Sequence, residues 1–69
     1  MLRLRLEKLL EEKQVTRYWL SQKTKIKYQT IDKYYKNKIV RYDSYILNAI
    51  CNALDCTPAD LFYYEKDEK

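Results

Sequence analysis

Between positions 13 and 41 this chain carries nine basic residues: Lys13, Arg17, Lys23, Lys25, Lys27, Lys33, Lys36, Lys38 and Arg41. A single acid, Asp32, lies among them. A solvated helix surface interleaves both signs, and a block this one-sided repels itself. Such a block suits a polyanionic partner, and nucleic acid is the commonest one. Within it, Lys27, Tyr28, Gln29, Thr30 and Lys33 have the chemistry to meet base edges, with Thr30 at the margin. Glutamine bonds adenine through two groups at once, and lysine donates to the guanine edge. A tyrosine offers its ring to a thymine methyl and its hydroxyl to a phosphate. Arg17, Lys23, Lys36, Asn37, Lys38 and Arg41 suit phosphate oxygens instead. Contacts of that kind set register and affinity but carry no sequence information. Lys13 and Lys25 read equally well as solvated charges.

Other chemistries find little support. There is no histidine and no glycine. No nucleophile stands beside an identifiable base, and no glycine loop can cradle a phosphate, so catalysis is not expected. Cys51 and Cys56 are the only cysteines. A disulfide scaffold of this size normally uses four or more, and a zinc site needs four ligands. Both thiols therefore read as small, half-buried hydrophobes, with no metal and no cofactor. No apolar run approaches the roughly 18 residues that span a membrane. The start, Met1 to Leu6, lacks the apolar core and cleavage site of a signal peptide, so the expected compartment is the cytoplasm. No small-molecule ligand is expected.

Sixty-nine residues make one domain, and a hydrophobic content of 46% is enough for one compact core. The absence of glycine and the single proline favour helices over a turn-rich β fold. Leu6, Leu9 and Leu10 follow the spacing of one helical face, which predicts a first helix from about Leu4 to Glu12. Leu2, Leu4 and Leu6 also alternate with Arg3 and Arg5, so a short strand over residues 2–5 is an open alternative. Thr16 is a good N-cap for a second helix, Arg17 to about Lys23, with Leu20 and Ser21 inward and Val15 packed just before the cap. After a break at Thr24-Lys25-Ile26, a third helix is predicted from about Tyr28 to Lys36, with Ile31 and Tyr34 on its inner face. The loop that follows holds Ile39, which can tuck into the core.

Asp43 or Ser44 caps a fourth helix, whose apolar stripe is Leu47, Ile50, Cys51 and Leu54. Asp55 stands where that helix must stop, and aspartate tolerates the left-handed conformation. Thr57, Pro58 and Asp60 mark a short fifth helix, about Pro58 to Phe62. Tyr63-Tyr64-Glu65 can extend and pair with residues 2–5. Residues 66–69 are expected to form a mobile tail.

About four residues join the second and third helices. That spacing forces a sharp crossing, which lets one helix enter a major groove while the other lies across the phosphates. The run from Thr16 to Lys38 resembles the helix-turn-helix of the phage repressor and Cro family, also called the XRE family. The run Leu47 to Phe62 is similar to that family's fourth and fifth helices. The resemblance covers nearly the whole chain and implies a mainly all-α, five-helix bundle of the lambda-repressor type. It also implies DNA binding and transcriptional control, often by dimers. Three positions depart from the family pattern: Lys25 where glycine is usual at the turn, Ser21 where a small alanine is usual, and Arg17 where glutamine often stands. A left-handed Lys25 would cost roughly 1–2 kcal/mol.

The reading that follows is a sequence-specific regulator, a repressor that binds a double-stranded DNA operator as a homodimer. The alternatives are a protein-interaction module or antitoxin that retains the fold, and a single-strand binder that stacks bases on tyrosines. Tyr34 reads as core. Tyr18 and Trp19 are adjacent and cannot both enter one core. Phe62, Tyr63 and Tyr64 form an aromatic end that either closes the core against the first helix or serves as the dimer interface.

Overall fold

The computed structural model describes residues 1–66. Among them are a strand β1 (Leu2–Leu4), helices α1 (Leu6–Lys13), α2 (Arg17–Thr24), α3 (Tyr28–Tyr35), α4 (Ser44–Leu54) and α5 (Pro58–Leu61), and a strand β2 (Phe62–Tyr64). The strand alternative at the N-terminus is the one realised. The first helix therefore starts at Leu6, not Leu4. The reason is pairing: β1 and β2 are antiparallel, with Leu2 opposite Tyr64, Arg3 opposite Tyr63 and Leu4 opposite Phe62. The Arg5 N–H donates to the Leu61 carbonyl at 2.7 Å and the Glu65 N–H to the Met1 carbonyl at 2.8 Å, extending the ladder at both ends. The Arg3 Nε donates to a Glu65 carboxylate oxygen at 2.6 Å across the same pair. The mobile tail expected over 66–69 lies, for residues 67–69, outside the described residues.

The core is one cluster. Leu4, Leu6, Leu9, Leu10, Leu20, Ile31, Tyr34, Ile50, Leu54 and Leu61 are all buried, and Val15, Ile39, Leu47 and Cys51 pack around them half-buried. Each predicted inner face contributes to it. Full burial of an aliphatic side chain of this size is worth about 1.5–3 kcal/mol, so every helix is tied to the others by its own stripe. Helix α2 packs on both α3 and α4, which fixes its position between them.

Helix ends carry most of the local information. The Thr16 Oγ1 accepts from the Trp19 N–H at 3.0 Å, and the Asp43 Oδ1 accepts from the Tyr45 N–H at 2.8 Å. At α5 the side chain that reaches back is Asp60, whose Oδ2 accepts from the Thr57 N–H at 3.0 Å. With no glycine available, four other residues take the left-handed conformation: Gln14 (φ 59°), Lys25 (φ 62°), Asn37 (φ 58°) and Asp55 (φ 52°). Gln14, Lys25 and Asp55 cap the C-termini of α1, α2 and α4. Asn and Asp accept this backbone with local hydrogen bonds, whereas Gln and Lys do so at a steric cost.

Candidate nucleic-acid interface

The α2–α3 joint is three residues long, Lys25 to Lys27, one shorter than the spacing suggested. Side-chain hydroxyls hold it. The Ser21 Oγ donates to the Ile26 carbonyl at 2.6 Å, and the Thr24 Oγ1 donates to the Leu20 carbonyl at 2.7 Å. The Ile26 N–H in turn donates to the Thr24 Oγ1 at 3.3 Å, and the Lys25 N–H to the Ser21 carbonyl at 2.8 Å. These bonds keep Lys25 in a conformation it would not choose alone. Ser21 is buried and small enough for close helix contact, and its hydroxyl is satisfied inside the turn. The departures at Ser21 and Lys25, together with the Thr24 hydroxyl, thus make one consistent turn.

Helix α3 has two distinct faces. Ile31 and Tyr34 are buried, and the Tyr34 hydroxyl accepts from the Asp43 N–H at 3.1 Å. Tyr28, Gln29 and Lys33 are exposed on the other side, Lys27 is exposed at the helix start, and Thr30 is half-buried at the margin. Tyr28, Gln29, Asp32, Lys33, Lys36 and Lys38 line one open groove of about 340 Å³. Among the described residues none of Lys23, Lys27, Lys33, Lys38 and Arg41 has an ion-pair partner. Three lysines thus share a groove with an amide that can read a base edge.

A match to a family model accompanies this geometry. Residues 5–67 match the model of the Cro/C1-type helix-turn-helix DNA-binding domain. The chain belongs to that family. Comparison with curated proteins and with solved structures gave no match. The family is a non-enzymatic regulator fold, and no helix among the described residues is long and apolar enough to cross a membrane.

In this Cro/C1-type domain the cations expected at phosphate do not all stand alike. The Arg17 guanidinium bonds a carboxylate oxygen of Asp32, joining the first residue of α2 to the middle of α3. Its central carbon lies 4.3 Å from the Tyr35 ring centre and 5.9 Å from that of Tyr28. The Lys36 Nζ lies 3.2 Å from the other Asp32 oxygen. Burial alone would raise the Asp32 pKa, but hydrogen bonds from Lys36 and Arg17 outweigh it and hold the carboxyl below its ordinary range. The expectation of Arg17 as an open phosphate donor is therefore corrected: its charge is engaged within the chain. Lys36 is shared between Asp32 and solvent.

Asn37 is the second correction. Its side-chain amide turns inward and pairs with the backbone of Leu4, accepting from the Leu4 N–H at 2.7 Å and donating to its carbonyl at 3.1 Å. That engages the groups expected to face phosphate. Of the two readings for Phe62, the structure shows core packing: it is half-buried and meets Tyr42 edge-on, with ring centres 5.2 Å apart. Tyr63 and Tyr64 stay exposed. Tyr18 and Trp19 are exposed too, because Leu20 takes the inward position of α2.

Asp32 and Tyr35 were missed as members of the site. Two signals pointed to Asp32. It is the lone acid in the basic block, and it precedes Lys36 by four residues, the spacing at which side chains on one helix meet. Nothing local pointed to Tyr35, whose partner Arg17 is on another helix.

Proposed function

We propose that this Cro/C1-type domain is a cytoplasmic repressor that reads a short two-fold DNA operator as a homodimer, with α3 in the major groove. The observation that carries the reading is the split of α3 into a buried Ile31–Tyr34 face and an outward face lined by Tyr28, Gln29, Lys33 and Lys36. A helix so anchored projects rigidly, and preorganised side chains discriminate between bases. Gln29, Tyr28, Lys27 and Lys33 act at base edges, with Thr30 at the margin. Lys23, Lys38 and Arg41 act at phosphates, together with the backbone donors at the start of α2. Tyr63 and Tyr64 supply the contact between copies.

Selection of bound duplexes from a random pool at stated salt, with sedimentation of the complex, tests this. The expected product is a two-fold site with half-site centres roughly 10 bp apart. Gln29→Ala changes preference at one base pair. Lys38→Ala weakens all sequences alike and flattens the salt dependence. A change of preference with Lys38→Ala but not with Gln29→Ala inverts these roles. Stronger binding to single strands than to duplex overturns the reading.

A further inference from the structure

We infer that Asp32 is a positioning residue that holds Arg17 across the α2–α3 crossing, keeping its charge off the phosphates and its guanidinium beside Tyr28. The inference rests on the duplex-binding reading above. Three observations meet at one point. Asp32 is the sole acid in the basic block. Its two oxygens are divided between Arg17 and Lys36. Arg17 in turn lies over Tyr35 and near Tyr28, both from the same helix as Asp32.

A negative charge on a surface meant for a polyanion weakens binding unless it has another task. Here it has one. The Arg17 side chain is 32% exposed and that of Asp32 24%, so the pair is half-buried and less screened than a fully exposed ion pair. A guanidinium suits this place because it binds a carboxylate and stacks on aromatic rings at once. Held this way, Arg17 borders the Tyr28 ring and limits where that ring can swing. Released, it becomes a mobile cation able to meet any phosphate. Asp32 thus exchanges sequence-independent affinity for a fixed reading surface.

The test measures binding of the full chain to its selected duplex and to a random duplex over a salt series. Each phosphate contact contributes about 0.9 to the slope of log affinity against log salt. For Asp32→Asn the expected results are a slope steeper by about one contact from Arg17, with Lys36, released at the same time, free to add to it, a several-fold gain on random duplex, and broader preference at the base pair facing Tyr28. Asp32→Glu, which keeps a carboxylate, restores the original slope. Arg17→Met provides an independent arm, since it keeps an apolar stem against Tyr35. Alone it leaves the slope unchanged while broadening the preference. In the Asp32→Asn background it removes the added contact. A shallower slope for Arg17→Met alone places Arg17 on phosphate and overturns the inference, even where Asp32→Asn does not fold. So does a folded Asp32→Asn protein with unaltered slope and preference. Absence of salt-dependent duplex binding by the unaltered chain overturns the DNA reading itself, which separates the two failures.

Discussion

The side-chain amide of Asn37 is bonded in both directions to the backbone of Leu4, 33 residues earlier in the chain, at 2.7 and 3.1 Å. In β1 the groups of Arg3 and its neighbours at Met1 and Arg5 face β2, so the N–H and C=O of Leu4 point to the outer edge. Asn37 occupies that edge where a third strand would lie. The Tyr42 hydroxyl approaches the Leu2 carbonyl at 3.5 Å on the same strand. Asn37 also takes the left-handed turn that ends α3, so one residue ties the end of α3 to the N-terminal strand.

Asn37→Ala is expected to lose both bonds and to strain the turn, lowering stability by about 2–4 kcal/mol. Asn37→Gly loses the bonds but relieves the backbone, so it should be about 1 kcal/mol less damaging than alanine. Urea unfolding of the three proteins checks the order. Equal stability of Asn37→Ala and the unaltered chain would refute the edge role.

Lys25→Gly should stabilise the domain. The left-handed Lys25 costs roughly 1–2 kcal/mol, part of which is offset by the entropy glycine loses on folding. A net gain of about 1 kcal/mol raises Tm by about 4–8 °C in a domain of this size. Calorimetry reads it directly. A drop in Tm would mean that the lysine side chain stabilises the turn in some other way.

Acid should weaken the fold through Asp60 and Asp32. The Thr57 backbone N–H, and then its hydroxyl, hold the Asp60 carboxyl below its ordinary range. At Asp32 the opposing effect of burial is outweighed by bonds from Lys36 and Arg17. A depressed carboxyl stabilises the fold fully above its unfolded value, about pH 4, and the stabilisation is lost as pH falls through the lower folded value. Unfolding free energy from these two groups should be flat from pH 7 to 5 and decline below about pH 4. Removing both carboxyls, as D32N with D60N, should make that decline shallower. Urea titrations at a series of pH values decide it, and an equally steep decline in the double variant would remove these two groups from the account.

Cys56 should be slow to alkylate. Burial, with a further contribution from Cys51 beside it, pushes its pKa up to about 11. Because the thiolate is the nucleophile, reaction near pH 8 should be on the order of 100-fold slower than for the same cysteine in the unfolded chain. Mass spectrometry after timed iodoacetamide treatment, with and without urea, measures the ratio. Fast labelling of Cys56 in the native protein would contradict the upward push that its half-buried site and Cys51 give the thiol.

Much of this was legible in the sequence because it is local. Helical stripes such as Leu6-Leu9-Leu10 and Ile50-Leu54 repeat at the period of the helix itself, and caps such as Thr16 and Asp43 act within three residues of their own position. Ile31 and Tyr34 define the inner face of α3 by spacing alone, which leaves Gln29 and Lys33 on the other side by default. The helix boundaries at Thr24 and Tyr35 each differ from expectation by one residue, since the last turn depends on which carbonyls find partners nearby.

What was not legible depends on residues distant in the chain. A list of cations does not say which of them already has a partner. Arg17 and Asp32 are 15 residues apart, and only the angle between α2 and α3 brings them together. Asn37 meets Leu4 only because β1 folds back beside the end of α3. By itself the sequence determined the charge block, the two-faced helices and the family to which the chain belongs. The tertiary structure decided which charges remain open to a partner, because an ion pair or a hydrogen bond depends on distance, and distances between helices are set by packing of the whole core.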